Sequence, residues 1–210
     1  MLSELLRGSR FLPVLVIEDV NDAVPLAVTL RDAGIACLEV TLRRPGAMEA
    51  IRRMIGEVDG VTVGAGTVGS IAQLEELKRM GAGFAVSPGM TPTLVRAAQE
   101  IGLAYIPGVI TPSEVMGGLE LGLTTFKFFP ASSFGGPGTL RSFGEVFPQV
   151  AFCPTGGIGP DNAAEYLALA NVAAVGSSWL APADVIKRHD WAAITERATA
   201  VRKKCAMARA

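Results

Sequence analysis

Gly122-Leu123-Thr124-Thr125-Phe126-Lys127-Phe128-Phe129-Pro130 is one complete repeat of the architecture this chain encodes. Gly122 follows a helical segment, at a place where a left-handed carboxyl cap needs glycine. Residues 125–129 then form a short run of β-prone aromatic residues. The same unit recurs along the chain, predicting strands at 13–17, 36–41, 61–65, 84–87, 104–106, 125–129, 150–153 and 172–175. Their starts are spaced by roughly twenty to twenty-five residues, enough for a turn, a helix and a return loop.

Helix signals fill the gaps. Thr91-Pro92 and Thr111-Pro112 each place a capping hydroxyl before a proline at the first helical position, and Ser70 precedes Gln73 by three residues. Gly34, Gly81 and Gly102 follow helical segments as Gly122 does. Eight such βα repeats in 210 residues, without a linker or low-complexity tract, favour a single α/β domain over 1–210. A closed (β/α)8 barrel is the expected form, with an open doubly wound sheet as the alternative. Gly64, Gly66 and Gly69 have dinucleotide-loop spacing, but no acidic residue closes the following strand, so that match is discounted.

Composition narrows the partners. Half of the residues are apolar and only 6% aromatic, which points to an interior of Ala, Val, Leu and Ile. The net charge of −1 provides no general field for nucleic acid or an anionic membrane surface. Residues 11–17 run directly into Glu18 and Asp19 without a cleavage site, and no apolar run is long enough to span a bilayer. Cys37, Cys153 and Cys205 are odd in number and lack metal-ligand spacing, so reduced thiols and a cytoplasmic setting are expected. His189 is the lone histidine and sits in a polar stretch, which argues against a histidine triad or a multi-histidine metal site. Residues from 190 onward, with Trp191 and Ile194 among polar neighbours, predict a last amphipathic helix over the barrel.

In a barrel of this kind, chemistry gathers where strands give way to polar residues at their carboxyl ends. Lys127 is the only ionisable group in its strand. Burial disfavours an ammonium, and the free amine is the nucleophile, so a Schiff base with a carbonyl substrate is plausible. The alternative is an edge-strand lysine that discourages aggregation. Glu39, between Leu38 and Val40, could move protons; an exposed Glu39–Arg43 ion pair is the plainer reading. Cys153-Pro154-Thr155-Gly156-Gly157-Ile158, with Pro160 opening a helix, and Gly176-Ser177-Ser178-Trp179 follow the last two strands. Paired glycine loops at that location suit a phosphate.

Taken in order, LEVTLR, GAGTV, SPG, IPGV, FKFFPA, FCPTGGI and SSWL closely resemble the 2-keto-3-deoxy-6-phosphogluconate (KDPG) and 4-hydroxy-2-oxoglutarate (KHG) aldolase family. The resemblance spans nearly the whole chain. It implies a (β/α)8 TIM barrel assembled as a homotrimer and a class I aldolase that needs no cofactor or metal and acts on a phosphorylated keto acid to release pyruvate. It implies Lys127 as the Schiff-base residue and Glu39 as general acid and base. Arg43 and Thr67 match positions holding the substrate carboxylate, with Pro88 and Phe129 lining that pocket. Thr155, Gly156, Gly157, Gly176 and Ser178 match distal hydroxyl and phosphate contacts.

Two departures stand out: Ser177 replaces a glycine and adds a side chain near the expected phosphate, and Ala131-Ser132-Ser133-Phe134-Gly135 partly resembles the related 6-phosphogalactonate aldolase. The rival readings are therefore a galactonate-type aldolase and, from a different class, a non-catalytic phosphosugar sensor. A metal-dependent aldolase fits poorly with one histidine.

Overall fold

The computed structural model describes Leu6 and residues 10–207, with side chains up to Arg202; the side chain of Cys205 lies outside that set. The strands are β1 (Phe11–Leu15), β2 (Cys37–Thr41), β3 (Thr62–Gly66), β4 (Phe84–Val86), β5 (Tyr105–Ile106), β6 (Gly108–Val109), β7 (Thr125–Phe128), β8 (Ala151–Pro154) and β9 (Val175–Ser177). They form two curled parallel sheets, ordered β5-β4-β3-β2-β1-β9 and β6-β7-β8. Single parallel bridges, Phe152 to Val172 and Thr155 to Gly176, link the β8 strand and its end to the segment containing β9.

Most strand ends shift by one residue and β1 by two, from 13–17 to Phe11–Leu15; two larger differences have a backbone cause. The fifth strand continues past Pro107, which has no N–H to give to a ladder, so it is split into β5 and β6. The last strand runs further along, to Ser177, because Val175, Gly176 and Ser177 register against Phe11, Leu12 and Pro13.

Alternation along each strand sorts residues between two layers. Leu38, Val40, Phe126, Phe128 and Phe152 face the larger core cluster, where helices cover the sheet. Cys37, Ala151 and Cys153 belong to a second buried cluster with Leu12, Phe84 and Ile106. Glu39 and Lys127 share the parity of that second set. Phe128 packs edge-on against Phe143 at 6.0 Å and Phe152 at 6.4 Å, which fixes the outward face of β7.

The helix signals perform as read. Ser70, Thr91 and Thr111 accept hydrogen bonds from the backbone N–H of Gln73, Leu94 and Glu114, and Thr111 with Glu114 completes a capping box. Gly81 ends helix Ile71–Met80 in the left-handed conformation, φ 83°. The last helix, Trp191–Met207, buries Ile194, Ala198 and Val201 at four- and three-residue spacing, the amphipathic stripe expected. Among the described residues no helix is long and apolar enough to cross a membrane.

Candidate active site

β7 is the middle strand of its sheet, with Lys127 in register between Gly108 on β6 and Cys153 on β8. It is therefore no edge strand, and the aggregation-blocking alternative for Lys127 falls away. The lysine side chain is 6% exposed and Glu39 is 1% exposed, and Lys127 Nζ donates to Glu39 Oε1 at 3.3 Å. The amine also lies 5.1 Å from the centre of the Phe129 ring. Such a pair is stable only while both members are present, because removing one strands a buried charge at a cost of about 3–5 kcal/mol. Gly66 makes room for it: a Cβ there would overlap the Glu39 carboxylate.

Glu39 pairs with Lys127, and Arg43 turns elsewhere. Arg43 is exposed and its Nε donates to Thr67 Oγ1 at 3.4 Å. Thr67 has φ 63°, a left-handed conformation that is strained for a β-branched residue and found mostly where the surrounding fold enforces it. Pro88 is exposed, and its carbonyl rests on Gly108, where a Cβ would overlap it. The loop after β4 is held by Ser87, whose Oγ donates to Gly89 O at 2.6 Å and lies 2.6 Å from Tyr105 Oη. Burial pushes the Tyr105 phenol up, so it keeps its proton and serves as donor in that pair.

A cavity of about 540 Å³ opens above these groups. Arg43, Phe129, Thr155, Gly156, Gly157, Gly176 and Ser178 all line it. Lys127 and Glu39 lie outside its lining, with Phe129 shared between cavity and amine. Thr67 joins through Arg43, and Pro88 stands apart on the Gly108 side. Thr155 Oγ1 is packed against Gly176 Cα, so only glycine fits at 176. Gly156 and Gly157 have φ of 104° and 70°, conformations that glycine adopts without strain.

One expectation at this end is refined and another corrected. Ser177 does line the cavity, but its hydroxyl is committed within the loop: the residue is buried, and Oγ donates to Ile158 O at 2.5 Å and accepts from Trp179 N at 3.1 Å. Pro160 does not open a helix; the helix there is Ala163–Leu167, five residues long, so the cavity wall at Gly156–Asn162 is loop rather than a helix amino terminus.

Burial, then the Glu39 charge, pushes the Cys37 and Cys153 thiols up to about 12, so both remain protonated near neutrality. His189 is occupied elsewhere, 2.8 Å from Asp22 Oδ1 and stacked on Trp191. Among the described residues no group of three or more His, Cys, Asp or Glu could hold a metal ion.

Gly66, Ser132 and Asn162 carry roles that the sequence reading missed. The glycine's role depends on which strand lies beside Glu39. Those of Ser132 and Asn162 depend on carbonyl directions in a loop. The sequence signals at these places are the Gly64-Ala65-Gly66 run, whose spacing is that of a dinucleotide loop, and the Ala131-Ser132-Ser133-Phe134-Gly135 segment, and neither reveals these contacts.

A family profile described as KDPG and KHG aldolase matches residues 2–197. A 2-dehydro-3-deoxy-phosphogluconate aldolase of Pseudoalteromonas atlantica is 51% identical over 186 residues, covering 89% of this chain and 86% of that protein. The KHG/KDPG aldolase of Escherichia coli K12 is 48% identical, covering 92% of this chain and 91% of its own length. A solved structure of KDPG aldolase from Legionella pneumophila, with pyruvate captured as a covalent carbinolamine, superposes with a TM-score of 0.93 at 46% identity, covering 96% of this chain and 98% of that one.

Proposed function

This chain belongs to the KDPG and KHG aldolase family, and on that premise we propose that it is a class I pyruvate aldolase in which Lys127 forms the Schiff base and Glu39 moves the protons. Its substrate is 2-keto-3-deoxy-6-phosphogluconate, cleaved to pyruvate and glyceraldehyde 3-phosphate. It also cleaves 4-hydroxy-2-oxoglutarate to pyruvate and glyoxylate. The observation that carries the residue assignment is the buried contact between Lys127 Nζ and Glu39 Oε1.

Lys127 attacks the ketone carbon to give a carbinolamine, and Glu39 assists the loss of water that leaves an iminium ion. Glu39 then accepts the proton of the hydroxyl on the carbon being released. The electrons of the carbon–carbon bond flow into the iminium, which becomes an enamine as the aldehyde departs. Protonation of the enamine carbon and hydrolysis free pyruvate and regenerate the amine. The iminium is the electron sink, so these steps call on no metal or organic cofactor.

Arg43, with its planar fork, is suited to the keto-acid carboxylate, assisted by Thr67 and bounded by Pro88 and Phe129. Thr155, Gly156, Gly157, Gly176 and Ser178 receive the distal hydroxyl and phosphate. That these residues line one cavity together with Arg43 and Phe129 supports both ends of the substrate lying there.

The same reading takes residues 1–210 as one domain forming a closed eight-stranded (β/α)8 barrel. β5 and β6 count as one strand broken at Pro107, and the Phe152–Val172 and Thr155–Gly176 bridges support closure. It also takes the working form as a homotrimer, to which the exposed Met116, Phe134 and Val146 side chains offer apolar surface. The setting is the cytoplasm, where the free, buried thiols of Cys37 and Cys153 would stay reduced.

Incubation with pyruvate and borohydride, followed by peptide mass mapping, tests the assignment: the reduced adduct is expected on Lys127. An unlabelled Lys127 would end it. Parallel assays with the gluconate- and galactonate-type phosphorylated acids settle which configuration is preferred.

A further inference from the structure

The cavity-lining turn Thr155–Ile158 is tied down through its carbonyls. Gly156 O accepts from Ser132 N at 3.1 Å. Gly157 O accepts twice, from Ser132 Oγ at 3.0 Å and from Asn162 Nδ2 at 2.9 Å. Ser132 lies outside the cavity lining, so its backbone bond draws the Gly156 carbonyl away from the cavity, while the Gly157 carbonyl is held between Ser132 and Asn162 on the cavity wall.

In a trans peptide the N–H points opposite to the C=O. The Gly157 N–H is therefore turned toward the cavity, and neither it nor the adjacent Ile158 N–H donates to another described residue. The next peptide is fixed from both ends: Ser177 Oγ donates to Ile158 O, and Gly159 N donates to Asn162 Oδ1 at 2.9 Å. A Cβ at Gly157 would meet Ser132 Oγ at 2.5 Å, so the clamp and the glycine fit only together.

We propose that Ser132, Asn162 and Ser177 are positioning residues that aim the Gly157 and Ile158 amides at the substrate's phosphate, tuning recognition of the phosphorylated substrate without touching the reacting atoms. This rests on the aldolase reading above. Preformed donors avoid an ordering cost on binding, so loosening the clamp should appear in affinity for the phosphate end.

The test compares wild type with Ser132→Ala, Asn162→Ala and Ser177→Ala, and with Ser132→Thr, which keeps the hydroxyl. Ser132 is exposed in its turn, so its replacement leaves the core intact even if the buried Ser177 variant folds poorly. KM for the phosphorylated substrate should rise about tenfold, the scale of one lost hydrogen-bonding restraint. The accompanying changes in kcat and in KM for unphosphorylated 4-hydroxy-2-oxoglutarate should stay within about twofold, and Ser132→Thr should restore wild-type KM.

Equal shifts with both substrates, or no shift with either, would overturn the clamp. Titration calorimetry with inorganic phosphate gives a readout independent of turnover. If the wild-type chain cleaved neither substrate, the aldolase reading would fail, yet a weakened phosphate Kd in Ser132→Ala would still support the clamp and an unchanged one would refute it.

Discussion

Gly66 and Glu39 stand on adjacent parallel strands so close together that a single methyl group on the glycine would occupy the space of the glutamate's carboxylate. The Glu39 carboxylate is thus positioned by a residue with no side chain of its own.

Gly66→Ala should displace Glu39 from Lys127 with modest damage to the fold. Overpacking of this kind costs about 1–3 kcal/mol. Misplacing a reacting group by about 1 Å costs on the order of a hundredfold in rate. Denaturant unfolding and steady-state kinetics on the same preparation should show a small loss of stability beside a large loss of kcat. A variant with normal kcat would mean that Glu39 does not act from this position.

Lys127→Met and Glu39→Gln should separate bond formation from proton transfer. The first removes the nucleophile, so both cleavage and borohydride trapping of pyruvate should vanish. The second keeps the amine, so trapping should persist while cleavage falls by about 10²–10⁴, the range for loss of a general acid or base. Lys127→Met retaining turnover would indicate a mechanism without a Schiff base at this residue.

Thr67→Gly should stabilise the protein while impairing it. A β-branched residue held at φ 63° costs on the order of 1–3 kcal/mol, somewhat more than the roughly 0.5–1 kcal/mol lost to glycine's freedom in the unfolded chain. The Arg43 contact to Thr67 Oγ1 disappears with the side chain, so KM for the keto acid should rise. A lower denaturation midpoint would show that the left-handed threonine is not strained.

Alkaline pH should weaken the fold through its buried thiols. Unfolded thiols release their protons near 9.0, whereas Cys37 and Cys153 hold theirs to about 12. Above pH 9 the folded state therefore binds more protons, and this contribution to stability, complete below that pH, is lost as pH rises toward 12. A Cys37→Ala, Cys153→Ala double variant should show a shallower decline in denaturation midpoint over that interval. At neutral pH a thiol reagent should label these two positions only after unfolding; rapid labelling of the native protein would contradict their burial.

The periodic features of this fold were legible in the sequence because their causes are local. Apolar runs, capping hydroxyls at Ser70, Thr91 and Thr111 and glycine stops such as Gly81 need only near neighbours to act. Lys127 stood out as the one charge in an apolar strand for the same reason. What stayed hidden depended on pairing between distant segments: the continuation of the fifth strand beyond Pro107, the reach of the last strand to Ser177, and the service Gly66 gives to Glu39. Ser177 shows the limit plainly, since its residue type placed a side chain at the pocket but could not show that the hydroxyl is committed to Ile158 O and Trp179 N in the loop wall.

The strand bearing Lys127 is hydrogen-bonded along both flanks and packed edge-on by aromatic rings on its outer face. A covalent adduct on that lysine, as proposed, would therefore be mounted on a strand held on both flanks and on its outer face. The displacements needed to admit a six-carbon acid and discharge its fragments fall to the rim, where Arg43 and Ser178 are exposed. Exchange broadening during turnover should accordingly concentrate at those rim positions and leave the amides of 125–128 quiet.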